Sequence, residues 1–316
     1  MVGTLTEDRA YALELTHTYG VAQYQAGQHR SLVNFGVVVA DPAAVAAAAG
    51  ALGYFTAPLP PVAGVEKGWQ DASLESTMLV IGPDDYYYTL MTPVGAGTEP
   101  TLLPHFHHIA LRVSSLHHSL QFYTKLLGMV QLSDEASQSA RSVGVATASL
   151  LEGRPEGYAD GVMSTAVGYE STEALQFALV LIDDGTPAER TGWSGRSAIA
   201  IPDAAVRRIH DDLLALEAAA ARRGGGGGGS GSSSGRIIHP LQVLEEKLGM
   251  LLVLIVADPD GNELCLVSRE TFDPSAFAAD DFGMPDWSLR EAIEASVVGD
   301  GPSPWDSAEV DDSREL

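Results

Sequence analysis

Apolar residues fall at Ile109, Leu111 and Val113 with Ala110 and Arg112 between them, a period of two that predicts a strand with one buried face. After it the period changes to that of a helix. Leu116, Leu120, Tyr123, Leu126 and Leu127 recur at helical spacing, Ser114 or Ser115 can cap the start, and Gly128 stands where helices commonly end in a left-handed residue. Strand, capped turn and helix make the opening of a βαβββ unit. Earlier in the chain, Tyr11 to Thr16 alternates as another strand, and Val37-Val38-Val39 leads through Asp41-Pro42 into an alanine-rich helix from Ala43 to Leu52. Met78 to Ile81 and Tyr86 to Met91 flank a Gly82-Pro83-Asp84-Asp85 turn and predict a hairpin.

The second half repeats this order. Ile199 to Val206 answers Val38 to Val45, and Leu254 to Leu266 with its Asp258-Pro259-Asp260-Gly261 turn answers Leu79 to Leu90. Gly224 to Gly235 contains only Gly and Ser, cannot bury apolar surface, and enters as an insertion between the helix Val206 to Arg223 and the strand near Ile237. The pattern predicts the last strand of unit one, then unit two (35–93), unit three (105–182) and unit four (195–268). Only thirteen residues precede Glu14, too few for the first strands of its unit, so a native form longer by roughly fifty residues is expected. Expected boundaries are a first domain at 1–93, a linker at 94–104, a second domain at 105–268 carrying the 224–235 insertion, and an acidic tail at 269–316.

Composition narrows the function classes. Hydrophobic residues make up 45% and charged residues 19%, which is globular, and the formal net charge is -24. From Glu270 to Leu316 thirteen acids face only Arg290 and Arg314. Such a chain repels phosphate backbones and anionic lipid, so neither nucleic acid nor a membrane surface is an expected partner. A single cysteine, Cys265, excludes an intrachain disulfide and a cysteine-built zinc site. No apolar run spans a bilayer and the first residues lack the build of a signal peptide, so the expected compartment is cytoplasmic, or mitochondrial or plastid if an N-terminal extension exists.

His108 shares a strand face with Ala110 and Arg112, the polar face expected to line a cleft, whereas His107 is expected beside Ile109 and Leu111. His117 and His118 open the helix and are expected in solvent. His108 could contact a metal or substrate, or be a hydrogen-bonded cleft histidine; Glu14, on the polar face of its strand, could be a ligand or a solvated side chain.

The segments HHIALRVSSLHHSLQFYTKLLGM, LELTHTYG and IVADPDGNELCLV resemble the vicinal-oxygen-chelate superfamily, which contains glyoxalase, bleomycin-resistance and dioxygenase proteins. The resemblance implies an α+β fold of paired βαβββ units in two domains, the first unit incomplete at its N-terminal side. In the glyoxalase I branch, a zinc or nickel ion is held by a His from a first strand and a Glu from a fourth strand of each paired unit. Carried over, unit one offers Glu14; unit two, Phe35 or Gly36 and then Thr89; unit three, His108 and then Gln176 or Ala178; unit four, Arg196 or Ser197 and then Cys265. Each cleft keeps one recognisable ligand, Glu14 or His108, with Thr89, Arg196 and Cys265 lining it. Zinc or nickel is therefore expected only if other groups supply the missing ligands. The resemblance implies a small-molecule-binding or regulatory protein without an intact metal centre. The alternative is a metal-dependent lactoylglutathione lyase acting on a 2-oxoaldehyde-glutathione hemithioacetal, with Glu14 as the proton-moving carboxylate. A homodimer is left open.

Overall fold

Units two and four run strand, helix and three strands, unit three adds a second helix to that order, and local signals in the sequence set several boundaries. In a computed structural model, the described residues are 31–59, 77–82, 86–92, 105–151, 162–169, 177–188, 196–222, 235–246 and 249–270. Unit two runs β1 (Leu32–Val38), α1 (Pro42–Ala51), β2 (Phe55–Pro58), β3 (Met78–Ile81) and β4 (Tyr87–Met91). Asp41 caps α1 by accepting the Ala44 N–H at 2.9 Å, with Pro42 in the first turn. Unit three runs β5 (His105–Arg112), α2 (Leu116–Leu120, continued by a π-helical turn Gln121–Leu126), β6 (Val130–Gln131), α3 (Asp134–Leu151), β7 (Met163–Gly168) and β8 (Ala178–Asp183). Of the two serines before α2, Ser115 supplies the cap. Unit four runs β9 (Arg196–Ile201), α4 (Asp203–Arg222), β10 (Arg236–Glu246), β11 (Gly249–Ala257) and β12 (Glu263–Ser268).

Units two and three share one eight-stranded sheet of order β2-β3-β4-β1-β5-β8-β7-β6. Its centre is the antiparallel pair β1–β5, flanked by the parallel pairs β1–β4 and β5–β8. Pairing thus crosses the segment 94–104. Unit four forms a second sheet, β10-β11-β12-β9, which repeats the order of half the first.

Alternation along the strands gives the large sheet two faces. On one, Phe35, Ile109, Leu111, Leu179 and Leu181 share a core with Phe122, Tyr123 and Leu126 of the π-helical turn and with Leu254 and Leu266 of the second sheet. Ala46 of α1 packs on Val80 and Leu90, whose strand parity puts them on this same face.

The opposite face holds α3, which the sequence pattern did not predict. Val143 and Ala146 meet Leu59, Leu79 and Met91, while Ala140 and Ala148 meet Val33, Ala110, Ala166, Ala178, Val180 and Ile182. All seven residues from Ser142 to Ala148 are buried. A helix buried on every side over two turns is enclosed rather than laid on a surface, with its Ala140, Val143, Gly144, Ala146 and Ala148 set against the strands. Gly144 permits the closest approach: a Cβ there would stand 3.2 Å from both Ala110 Cβ and Ile182 Cδ1. Among the described residues no helix is long and apolar enough to cross a membrane.

Candidate functional site

Beneath α3 the strand registers align one residue from each of five neighbouring strands: Leu79, Thr89, Gly36, His108 and Ala178. Leu79 and Ala178, at the two ends of this row, both pack against α3. Thr89 and His108 are 0% exposed. The face of His108, Ala110 and Arg112, expected to line a cleft, is instead core. Arg112 is 1% exposed and its Nε donates to Asp184 Oδ2 at 3.1 Å, a buried ion pair.

His108 is held from both ends of its ring. Asn34 Nδ2 lies 3.3 Å from His108 Nε2 and donates to Thr89 Oγ1 at 2.6 Å. Thr89 Oγ1 in turn donates to the Phe35 carbonyl at 3.3 Å. His107 Nδ1 lies 3.1 Å from His108 Nδ1. One tautomer serves both contacts: His108 accepts from Asn34 at Nε2 and donates from Nδ1–H to His107. His107 reaches this position because the β1–β5 register slips between Gly36 and Val37, a bulge that leaves it as the extra residue and turns it towards His108 rather than beside Ile109. Burial lowers both imidazoles, His107 to about 4 and His108 well below the ordinary 6.5, so neither carries charge near neutral pH. The His108 ring sits directly over Gly36, where any side chain would collide with it.

The other sequence-predicted residues are distributed as follows. Phe35 points to the opposite face and stacks on Tyr88 at 5.5 Å, leaving Gly36 as the unit-two residue of the row. Ala178 is the unit-three partner of His108, while Gln176 and Glu14 lie outside the described residues. Arg196 and Cys265 belong to the second sheet, away from His108 and Thr89. Arg196 binds Glu263 Oε2 at 2.8 Å, Ser197 pairs with Leu264, and Cys265 packs with Val253, Ile255 and Val267 on the face away from α4. His117 and His118 are exposed on α2. Sequence reasoning missed Asn34; its only signal was one amide between Val33 and Phe35 in an apolar strand.

A zinc or nickel ion needs three or four converging N, O or S donors. The row offers one imidazole and one hydroxyl, no carboxylate, and the imidazole has no lone pair to spare. Among the described residues no group of three or more His, Cys, Asp and Glu could hold a metal. These residues do not fit the ion implied by the family resemblance.

A second polar cluster ties the units together. Asp258, in the turn before β12, accepts from Tyr123 Oη at 2.9 Å, from the Asp260 and Asn262 N–H groups, and from Asn262 Nδ2. Asp260 receives the Ser114 N–H and the Ser119 hydroxyl. Burial raises Asp258 to about 6, and burial beside Asp258 pushes the Tyr123 hydroxyl well above 10. The cluster docks a hairpin turn on α2 and is satisfied internally.

The family model that matches this chain, over residues 105–266, is described as Glyoxalase/Bleomycin resistance protein/Dioxygenase superfamily. The chain belongs to that superfamily. Its sequence is 27% identical over 274 residues to the mouse protein "Glyoxalase domain-containing protein 4", covering 86% of this chain and 69% of that one; the rat protein of the same name is 26% identical over the same shares. The crystal structure of glyoxalase I from Zea mays has a TM-score of 0.53 at 20% identity, covering 87% of this chain and 78% of that one. That likeness shows the fold of the superfamily, an α+β arrangement of paired βαβββ units.

Proposed function

We propose that this member of the glyoxalase superfamily acts as a small-molecule-binding or regulatory protein, and that the row between units two and three performs no metal-dependent lyase chemistry. What carries this is the ligand set: Thr89, Gly36, His108 and Ala178 stand in line, with one imidazole among them whose two nitrogens are already engaged by Asn34 and His107. A divalent ion held by one such group keeps most of its water and leaves on dialysis. The row also lacks a carboxylate positioned to take a proton from a hemithioacetal. A buried row without a free charge, Leu79, Thr89, Gly36, His108 and Ala178, instead suits contact with a neutral molecule.

The test is metal content and turnover of the full chain. After dialysis against zinc and nickel buffers, well under one ion per chain and no turnover of a methylglyoxal-glutathione adduct are expected. Stoichiometric metal that is lost in His108→Ala or Glu14→Gln, together with turnover, would overturn the proposal in favour of lactoylglutathione lyase with Glu14 as base.

A further inference from the structure

Building on that reading of the row, we propose that α3 is a displaceable plug, and that the groove it vacates takes an uncharged, mostly apolar small molecule carrying one hydrogen-bond donor. The first observation is enclosure: a helix of the chain itself occupies the whole face above Thr89, His108 and Ala178. The second is that this helix fits its cradle poorly in polar terms. Asn34 Oδ1, on the sheet face beneath α3, has no hydrogen-bond partner, and neither has Ser142 Oγ, buried on α3 itself. Asn34 is 0% and Ser142 3% exposed. Buried polar atoms in a permanent core are almost always matched, and each unmatched one favours states in which it regains a partner. Small residues at the centre of α3, Val143-Gly144-Val145-Ala146, add less apolar burial per turn than leucines would, so the helix is held by shape more than by area.

The chemistry of the groove fixes the class of ligand. His107 and His108 are uncharged, and Arg112 is committed to Asp184, so among the described residues an ion entering here would lose its water and find no free counter-charge on the face of His108, Ala110 and Arg112. Asn34 Oδ1 is an acceptor awaiting a donor. Ala110, Ala178 and Val180 leave room beside it for a flat apolar body.

Indole, its isostere indene without the N–H, and indole-3-acetate are suitable probes for the full chain. Amides 142–148 should exchange hydrogen at least about tenfold faster than those of β5 and β8, and faster still with indole. Ser142→Ala, which removes the unmatched hydroxyl, should slow that exchange and weaken indole by about threefold. Gly144→Leu should collide with Ala110, Val180 and Ile182, release the helix, and tighten indole by about tenfold. Indene should bind several-fold more weakly than indole, and indole-3-acetate no better than indene. Exchange of 142–148 as slow as that of β5 in both the parent and a cooperatively melting Gly144→Leu protein would overturn the proposal, as would equal binding of indole and indene. If Gly144→Leu does not melt cooperatively, the parent and Ser142→Ala exchange rates decide the matter. Metal content and lyase turnover bear on the function proposed above and leave the exchange comparison untouched, so the two failures are separable.

Discussion

At the scale of single residues, the contact between Gly36 and His108 sets the character of the row. A Cβ at position 36 would fall within the His108 ring, so Gly36→Ala must push the imidazole off Asn34 and His107. Overpacking of this kind costs about 1–3 kcal/mol, measurable as a lowered urea midpoint at unchanged slope. Asp258 gives a second expectation, with a sign opposite to that of an ordinary paired carboxylate. Its folded pKa of about 6 lies above the usual 3.8, so between these values the native state holds a proton that the unfolded state has released. Stability from this group is full below about pH 4 and is lost as pH rises through about 6, by up to roughly 3 kcal/mol. Urea melts at pH 4.5 and 7 should therefore differ less in Asp258→Asn than in the parent protein, by an amount of that order. His108 was visible in the sequence because alternation assigned it a face; the bulge that brings His107 beside it was not, since a register slip leaves no mark on one strand alone.

The elements that sequence revealed are those with a clean period or a chemical stop signal. Asp41-Pro42 starts α1, Ser115 starts α2, and Gly128 at φ 76° follows the end of the helical turn. By contrast, α3 escaped because its central run Ser142-Val143-Gly144-Val145-Ala146-Thr147-Ala148 carries small residues, with no leucine or isoleucine to mark a helical period. A further expectation at this scale concerns the connection between α4 and β10. Deleting Gly225 to Ser234 should shift stability by less than about 1.5 kcal/mol, because loop-closure entropy changes slowly with length. A larger loss in denaturant melts would mean that the segment is packed, against its composition.

For the whole molecule, the fold was legible in segments: Ile199 to Val206 answers Val38 to Val45, Leu254 to Leu266 answers Leu79 to Leu90, and strands and helices stand at these places. Their pairing follows unit identity rather than chain proximity, with β1 and β5 joined at the centre of one sheet and β9 left at an edge of the other. Which residues meet across that centre could not be read from one strand at a time. It took the registers to choose Gly36 over Phe35, and Ala178 as the unit-three partner of His108. The covering of the row by α3 was hidden for the same reason, since it is a contact between elements and not a pattern within one. The central claim is that His108 is an uncharged, doubly engaged imidazole with no lone pair free for a metal. Nitrogen-15 spectra of the selectively histidine-labelled chain test it most directly. The account predicts a neutral Nδ1–H tautomer for His108, unchanged between pH 5 and 8 and unmoved by an equivalent of zinc. Titration of this ring near pH 6.5, an Nε2–H tautomer, or a shift on adding zinc would contradict it.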